Sequence, residues 1–135
     1  MIELLRYQRD DGREPFTEWL DAVRDKLAQA RIRVRLRQVQ AGNFGDCEPV
    51  GEGVIELRVH VGAGYRLYCG RHGKAVVLLL CGGDKRSQAA DIKRAKELWS
   101  EWKRRQASAD SKARCRTTRR KLPNCAPIAN WQWNI

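Results

Sequence analysis

The most regular pattern in the chain runs from Gly53 to Gln88 and predicts three consecutive antiparallel strands that end in a basic loop. Side chains of a strand alternate between its two faces. The first of these segments alternates between an apolar and a polar set, namely Leu57, Val59, Val61 and Glu56, Arg58, His60. The Gly62-Ala63-Gly64 segment that follows this strand is typical of a turn, so the pattern predicts a hairpin with one apolar and one polar face.

The second strand of the predicted hairpin alternates in the same way, with Arg66 and Tyr68 on its polar side. If Val61 pairs with Tyr65 around a three-residue turn, the apolar residues of both strands share a face. Arg58 then lies opposite Tyr68, and His60 lies opposite Arg66. A shift of one residue would bury the Arg66 guanidinium at a cost of several kcal/mol, on the order of an ion's desolvation penalty. The pattern therefore favours the pairing in which the apolar residues of both strands lie on the same face.

The third segment, Ala75 to Cys81, is apolar at every position, which favours a central strand covered on both faces. The loop before it makes this strand antiparallel to the second one, so it runs back toward the Gly62–Gly64 turn. Lys85 therefore emerges near the end that carries His60 and Arg66. The prediction is one concave, positive surface formed by Arg58, His60, Arg66, Tyr68 and Lys85.

The N-terminal part predicts a strand, Ile2 to Tyr7, followed by two helices. The first helix begins at Pro15, which suits a first helical position, and carries an apolar stripe of Phe16, Leu20, Val23 and Leu27. The segment at 31–37 alternates like a strand but also fits a helix over about 30–41, which is favoured. Its arginines (31, 33, 35 and 37) would then lie on an exposed arc, either facing phosphates or simply solvated and paired with the first helix.

A last helix is predicted from about Gln88 to Arg105, with Leu98, Trp99 and Trp102 on its apolar side. From residue 106 onward the periodicity ends, and small polar residues, scattered basic residues and two prolines predict a disordered basic extension. The sequence thus predicts an α+β domain over 1–105, with an antiparallel-rich sheet of about four strands, and an extension over 106–135.

Charge narrows the class of partner. The 135 residues carry a net charge of +11; residues 1–105 hold 21 Lys and Arg against 15 Asp and Glu, and residues 106–135 hold 6 against 1. The excess is therefore present in the folded part, and a polyanion such as nucleic acid is the expected partner. The five scattered cysteines and the absence of a leader-like or membrane-spanning apolar run favour a cytoplasmic protein without membrane contact.

Several motifs together resemble the RelE/ParE toxin superfamily, in its HigB-like branch of phage-related addiction-module killer proteins. They are Glu56-Leu57-Arg58, Gly64-Tyr65-Arg66-Leu67, Gly83-Asp84-Lys85 with Gln88, and Asp91-Ile92 leading into Ala95-Lys96. The resemblance covers roughly residues 1–104. It implies a small sheet flanked by helices, ribosome-dependent cleavage of mRNA, and neutralisation by a cognate antitoxin, a HigA-like helix-turn-helix protein.

The resemblance also implies site residues. The arginines of its motifs are Arg58 and Arg66, and the basic residue after the last strand is Lys85. Many RelE-type nucleases place a tyrosine on the C-terminal helix, where this chain reads Ala90-Asp91-Ile92; Tyr68 and His60 are the alternatives. A ParE-like toxin that poisons DNA gyrase, and a nucleic-acid-binding module without toxicity, stay open as alternative functions.

RNA cleavage without a metal needs a proton acceptor, positive charge at the phosphorane and a proton donor for the leaving oxygen. Arginine suits the charge, and histidine suits proton transfer near neutrality. Arg58, Arg66, Lys85 and His60 are therefore the candidate catalytic residues, with no metal and no cofactor expected. The candidate RNA-binding residues are Tyr68, Arg31, Arg35, Arg86 and Gln88.

Overall fold

The computed structural model describes residues 2–62, 64–73, 76–113 and 125–127. In these ranges the elements follow the order β1 (Glu3–Tyr7), α1 (Pro15–Ala22), α2 (Lys26–Gln40), β2 (Cys47–Gly51), β3 (Val54–Val59), β4 (Tyr65–His72), β5 (Val76–Asp84), a 3₁₀ turn (Lys85–Ser87), α3 (Gln88–Ala113) and β6 (Cys125–Pro127). The α+β class predicted from the sequence is confirmed.

One mixed sheet has the strand order β2-β3-β4-β5-β1-β6. Strands β2 to β5 form an antiparallel meander, whereas β1 inserts parallel to β5 and pairs antiparallel with β6. The prediction of about four strands is wrong because it missed β2 and β6. Both are short and lack strict alternation, and Pro49 interrupts β2, which lies at the edge of the sheet where proline is tolerated.

One face of the sheet packs on α1 and α2 through an almost wholly apolar layer. Its members alternate along the strands as predicted and are buried together with the helix residues: Leu4, Phe16, Leu20, Ile32, Leu36, Leu57, Leu67, Cys69 and Leu79. Apolar burial of this kind contributes roughly 1.5–3 kcal/mol for each large side chain. This face is the main core of the fold.

The other face packs on α3, and here the layer is apolar only toward one end. Trp99 and Trp102 of α3 stack with ring centroids 5.2 Å apart and lie with Leu78, Leu80 and Val54 in a second buried cluster. Strand β5 therefore has helices on both faces, as its continuous apolar run predicted. At the other end of this face the strands present charged and polar side chains instead.

The two N-terminal helices divide at a different point from the one predicted. Helix α1 ends at Ala22, and Asp25 caps α2 by accepting hydrogen bonds from the backbone N–H groups of Leu27 and Ala28, at 3.0 and 3.3 Å. An aspartate at this position is a strong start signal for a helix. Leu27 thus belongs to the second helix and is 58% exposed, so its place in the predicted apolar stripe is wrong.

Helix α3 begins at Gln88 as predicted but continues to Ala113, eight residues beyond the predicted end at Arg105. Residues 125–127 add strand β6 to β1. The predicted domain boundary after 105 therefore falls within a helix, and the rest of the predicted extension lies outside the described residues. No helix in the described ranges has the length and apolar character needed to cross a membrane.

Candidate functional site

The polar faces of β3 and β4 meet at the end of the sheet next to the start of α3. In the observed register Arg58 pairs with Arg66 and Glu56 with Tyr68. The predicted pairing of Arg58 with Tyr68 and of His60 with Arg66 is wrong by two residues, although the parity is right. The reason is a longer turn: β3 ends at Val59, and five residues, not three, connect it to β4.

A buried carboxylate organises this polar end. Glu56 is 1% exposed and accepts hydrogen bonds from Arg66 Nη1 at 2.8 Å, Gln88 Nε2 at 2.9 Å and Tyr68 Oη at 3.2 Å. Arg58 Nε also contacts it at 3.3 Å. Two strands and the first residue of α3 thus converge on a single side chain. A buried charge with this many donors is satisfied and fixes their positions.

Tyr68 lies inside this network and is fully buried under α3. Burial, with the negative charge of Glu56 next in importance, raises the pKa of its hydroxyl. A base cannot stack on a side chain without exposed surface, so the prediction that Tyr68 contacts RNA is wrong. The alternation placed Tyr68 on the correct face, but it could not show that a helix covers that part of the face.

Arg58 is held by three acidic side chains, from the edge strand β2, from the residue before it and from its own strand β3. Its guanidinium pairs with Asp46 at 3.2 Å, with Glu48 and with Glu56. The hydrogen bond to Glu48 raises the pKa of Arg58 further above its ordinary value. Three carboxylates around one guanidinium leave little net positive charge for a phosphate, so the geometry gives Arg58 a role in supporting the sheet edge.

Arg66, in contrast, lines a cleft with His60 and Lys85. The cleft has a volume of about 420 Å³ and is bordered by the backbone at Val61, Gly62 and Gly64. Lys85 is exposed and makes no ion pair within the described part of the chain. Arg66 donates to Glu56 through Nη1, its Nε is buried, and 16% of its side chain stays exposed at the cleft. The predicted meeting of these three side chains is confirmed.

His60 has a fixed partner at the rim of the cleft. Its Nε2 lies 2.5 Å from Asp46 Oδ2. This hydrogen bond lowers the pKa of Asp46, against a smaller opposing effect of desolvation and with help from Arg58. An ionised carboxylate only accepts hydrogen bonds, so Nε2 is the donor of this bond and Nδ1 takes no part in it.

The loop that carries Lys85 is held by its own aspartate. Asp84 accepts hydrogen bonds from the backbone N–H groups of Arg86 at 3.0 Å and Ser87 at 3.2 Å. Desolvation is the largest single influence on Asp84 and opposes its ionisation, but these two bonds, the charge of Arg86 and the Ser87 hydroxyl together lower its pKa. Asp84 thus holds the backbone of the turn that carries Lys85. Arg86 itself is exposed at the same turn.

The remaining predicted RNA-binding residues differ in their surroundings. Arg31 is exposed on α2, whereas Arg35 is 8% exposed and donates to the backbone carbonyls of Arg58 at 3.1 Å, Asp46 at 2.9 Å and Phe44. Burial lowers the pKa of Arg35. The prediction that Arg35 lies on an exposed arc is wrong: it ties α2 to the sheet edge. Gln88 is half-buried against Glu56 rather than presented to solvent.

Sequence reasoning missed the acidic residues. Glu56, Asp46 and Glu48 pair with three basic side chains, those of Arg58, His60 and Arg66. The only sequence signal for these pairs was that Glu56 and Arg58 lie on the same face of one strand. Asp46 and Glu48 are separated in sequence from their partners by a glycine-containing turn, so no local pattern joins them. In the described ranges, no group of three or more His, Cys, Asp or Glu side chains is arranged to hold a metal ion.

The fold and this cleft define a small α+β protein with a cationic pocket at one end of a mixed sheet. An uncharacterized protein of Haemophilus influenzae (strain ATCC 51907 / DSM 11121 / KW20 / Rd) is 45% identical over 86 residues, which make up 64% of this chain and 87% of the relative. The chain belongs to the same family as that protein. No protein-family profile matches the chain.

Proposed function

We propose that this protein is the toxin of a type II toxin–antitoxin pair, a RelE/ParE-type, HigB-like endoribonuclease that cleaves mRNA on the ribosome without a metal. The observation that carries the proposal is the cleft in which Arg66, His60 and Lys85 meet. Arg66 and Lys85 come from two of the motifs, Gly-Tyr-Arg and Gly-Asp-Lys, that carry the family resemblance. A basic protein with net charge +11 also suits a polyanionic substrate.

In the proposed mechanism Arg66 and Lys85 bind the scissile phosphate. Glu56 holds the Arg66 guanidinium in place, so the exposed part of the guanidinium is oriented before the substrate arrives. Lys85 lines the same cleft and adds a second positive charge. Together they stabilise the additional negative charge that develops on the phosphorane oxygens.

His60 accepts the proton of the ribose 2′-hydroxyl at Nδ1, while Asp46 holds the ring through Nε2 and stabilises the imidazolium that forms. The 2′-oxygen attacks phosphorus and the bond to the 5′-oxygen breaks. The products are a 2′,3′-cyclic phosphate and a 5′-hydroxyl, whose proton comes from Lys85 or from the imidazolium. The reaction therefore consumes no cofactor.

The antitoxin and the ribosome enter the proposal through the family resemblance. A HigA-like helix-turn-helix antitoxin would neutralise the toxin, and the ribosome would present the mRNA. A cationic cleft in a medium rich in RNA calls for such a partner, because exposed positive charge binds RNA without discrimination. The protein would act in the cytoplasm, where both are found.

The test is controlled expression in a bacterium with mapping of transcript ends. We expect rapid internal cuts in mRNA with the native chain. Arg66→Ala should lower the cleavage rate by about 10²–10³, the usual effect of removing one preorganised oxyanion donor. The matched control is Arg37→Ala, which removes the same charge from the exposed side of α2, away from the cleft.

Other outcomes would contradict the proposal. DNA damage with intact transcripts would indicate a gyrase poison of the ParE type. Normal growth at verified expression would indicate a binding module without toxicity. Equal cleavage by the native chain and Arg66→Ala would remove this cleft from the mechanism.

A further inference from the structure

Helix α2 presents an unpartnered stripe with two exposed apolar side chains. Leu27 is 58% exposed and Val34 is 38% exposed, and they are the large apolar residues that remain exposed within the described ranges. Seven residues separate them, so they lie on the same face two turns apart. Arg31 and Gln38 continue this stripe at helical spacing and are also exposed.

This stripe is not a surplus part of the core. The opposite side of α2 already buries Ala28, Ile32, Leu36 and Val39, each 0% exposed. Leu27 and Val34 therefore keep apolar area in water, and its burial against another surface would favour association. Exposed apolar residues arranged on one face next to a groove are typical of a protein interaction site.

A groove of about 280 Å³ runs beside the stripe. Val34, Arg31 and Gln38 form one wall, and Val59, Val61 and His60 form part of the other. Arg35, Arg58 and Asp46 line the groove as well, so it combines apolar and charged side chains, as protein interfaces do. His60 and Val61 also border the cationic cleft, so an occupant of the groove lies next to that cleft.

The charge of α2 selects the chemistry of the occupant. The helix, Lys26–Gln40, contains five basic residues and no acidic one. Arg35 is buried inside the fold, but Lys26, Arg31 and Arg37 remain exposed. An occupant with carboxylates around an apolar stripe would satisfy both the charge and the exposed Leu27 and Val34. An RNA backbone would meet only the charge.

We propose that the α2 docking face, made of Leu27, Arg31, Val34 and Gln38 with Val61 across the groove, binds an acidic amphipathic helix of a partner protein. A helix fits because its side chains at i, i+3/i+4 and i+7 form a ridge that matches the spacing of this stripe. The inference does not rest on the nuclease mechanism, because it uses neither Arg66 nor Lys85.

The test uses the full chain and three fluorescent probes in an anisotropy titration. The first is a 20-residue helical peptide with leucines at i, i+4 and i+7 and glutamates on its flanks, the second is the same composition scrambled, and the third is a single-stranded RNA 20-mer. We expect saturable binding of the first peptide and binding of the scrambled peptide weaker by about tenfold or more.

Variants then locate the binding face. Leu27→Ser with Val34→Ser should weaken the amphipathic peptide by about 10- to 100-fold and leave RNA binding unchanged. Arg31→Ala should weaken the peptide by about two- to fivefold, and the charge-matched control Arg37→Ala should have a smaller effect. These are surface changes, so thermal unfolding should confirm that the fold is intact.

Three results would overturn the proposal: no saturable binding of the amphipathic peptide, equal binding of the scrambled peptide, or an unchanged affinity in the Leu27/Val34 variant. A loss of RNA affinity in that variant would assign the face to nucleic acid instead. Each of these results can be read whether or not the native chain cleaves RNA, so it is distinct from failure of the nuclease proposal.

Discussion

The two faces of the sheet are formed by the same strands but are stabilised by different interactions. On the face toward α1 and α2, Leu57, Leu67 and Cys69 pack in an apolar layer. On the face toward α3, the alternate residues of the same strands are Glu56, Arg66 and Tyr68, joined by hydrogen bonds of 2.8–3.2 Å. The stability of the first face depends on how well apolar side chains fill the space between sheet and helices. That of the second depends on the orientation of its hydrogen bonds.

The difference explains where a site can form. An apolar layer tolerates small displacements because its contacts have no preferred angle, whereas the Glu56 network fixes four donors at defined positions. The same network reaches the rim of the cleft through Arg66. Substitutions that affect the two faces should therefore lower stability alike but separate in their effect on RNA.

The largest expected effect comes from Glu56→Ala. It leaves the Arg66 guanidinium and the Tyr68 hydroxyl without their partner in a buried place, which should lower the free energy of unfolding by about 3–5 kcal/mol. Urea denaturation measures this. Glu97→Ala, at an exposed position of α3, should change it by no more than about 0.5 kcal/mol. Equal effects of the two changes would show that the network contributes nothing to stability.

Leu57→Ala tests the opposite face at the next residue of the same strand. Removing a fully buried leucine should cost about 2–5 kcal/mol through lost burial and the cavity left behind. At a temperature where the variant is still folded, its affinity for single-stranded RNA should equal that of the native chain, because Arg66 keeps its partner. A parallel fall in stability and RNA affinity would remove the distinction between the faces.

Each face also places a glycine directly under a tryptophan. A Cβ atom at Gly70 would lie 2.4 Å from the Trp99 ring on the α3 face, and one at Gly82 would lie 2.4 Å from the Trp19 ring on the α1 face. Gly70→Ala and Gly82→Ala should each cost about 1–3 kcal/mol through overpacking. Thermal unfolding would measure the lost stability, and near-ultraviolet circular dichroism would show the changed tryptophan surroundings. A variant with the melting temperature and spectrum of the native chain would contradict this close packing.

Alkaline pH should lower the free energy of unfolding through one buried group on each face of the sheet, and the effect should be small near neutrality. Burial raises the pKa of Cys69 to about 12 and also raises that of Tyr68, which points to the other face. A raised folded pKa favours the neutral form, so the stability is complete below the unfolded pKa and is lost as pH rises. We expect a loss of about 1.4 kcal/mol for each pH unit above 9 from a buried thiol.

Tyr68 should add to this loss only above pH 10, the ordinary value of a tyrosine. Urea denaturation in reducing buffer from pH 8 to 10.5 measures both steps. Cys69→Ala should remove part of the first step, and a variant with the same pH dependence as the native chain would show that Cys69 is not responsible.

Most residues of the site could be predicted from the sequence, but their contacts with one another and their burial could not. Arg66, His60 and Lys85 were predicted together because parity and strand direction are local properties of the pattern. Tyr68 and Arg35 were predicted to be exposed, yet α3 covers one and the β2 edge covers the other. The two-residue error in register had no effect on the faces, because a shift of two preserves the alternation.

Which side chains share a face could be read from the residue pattern alone, since alternation in a strand follows from the backbone of each residue and its neighbours. The same pattern showed that the last apolar strand is central. The burial of Glu56 among four donors, and the neutralisation of Arg58 by Asp46 and Glu48, became visible only in the folded chain. These contacts join separate elements, so they depend on turn length, register and helix placement rather than on any local pattern.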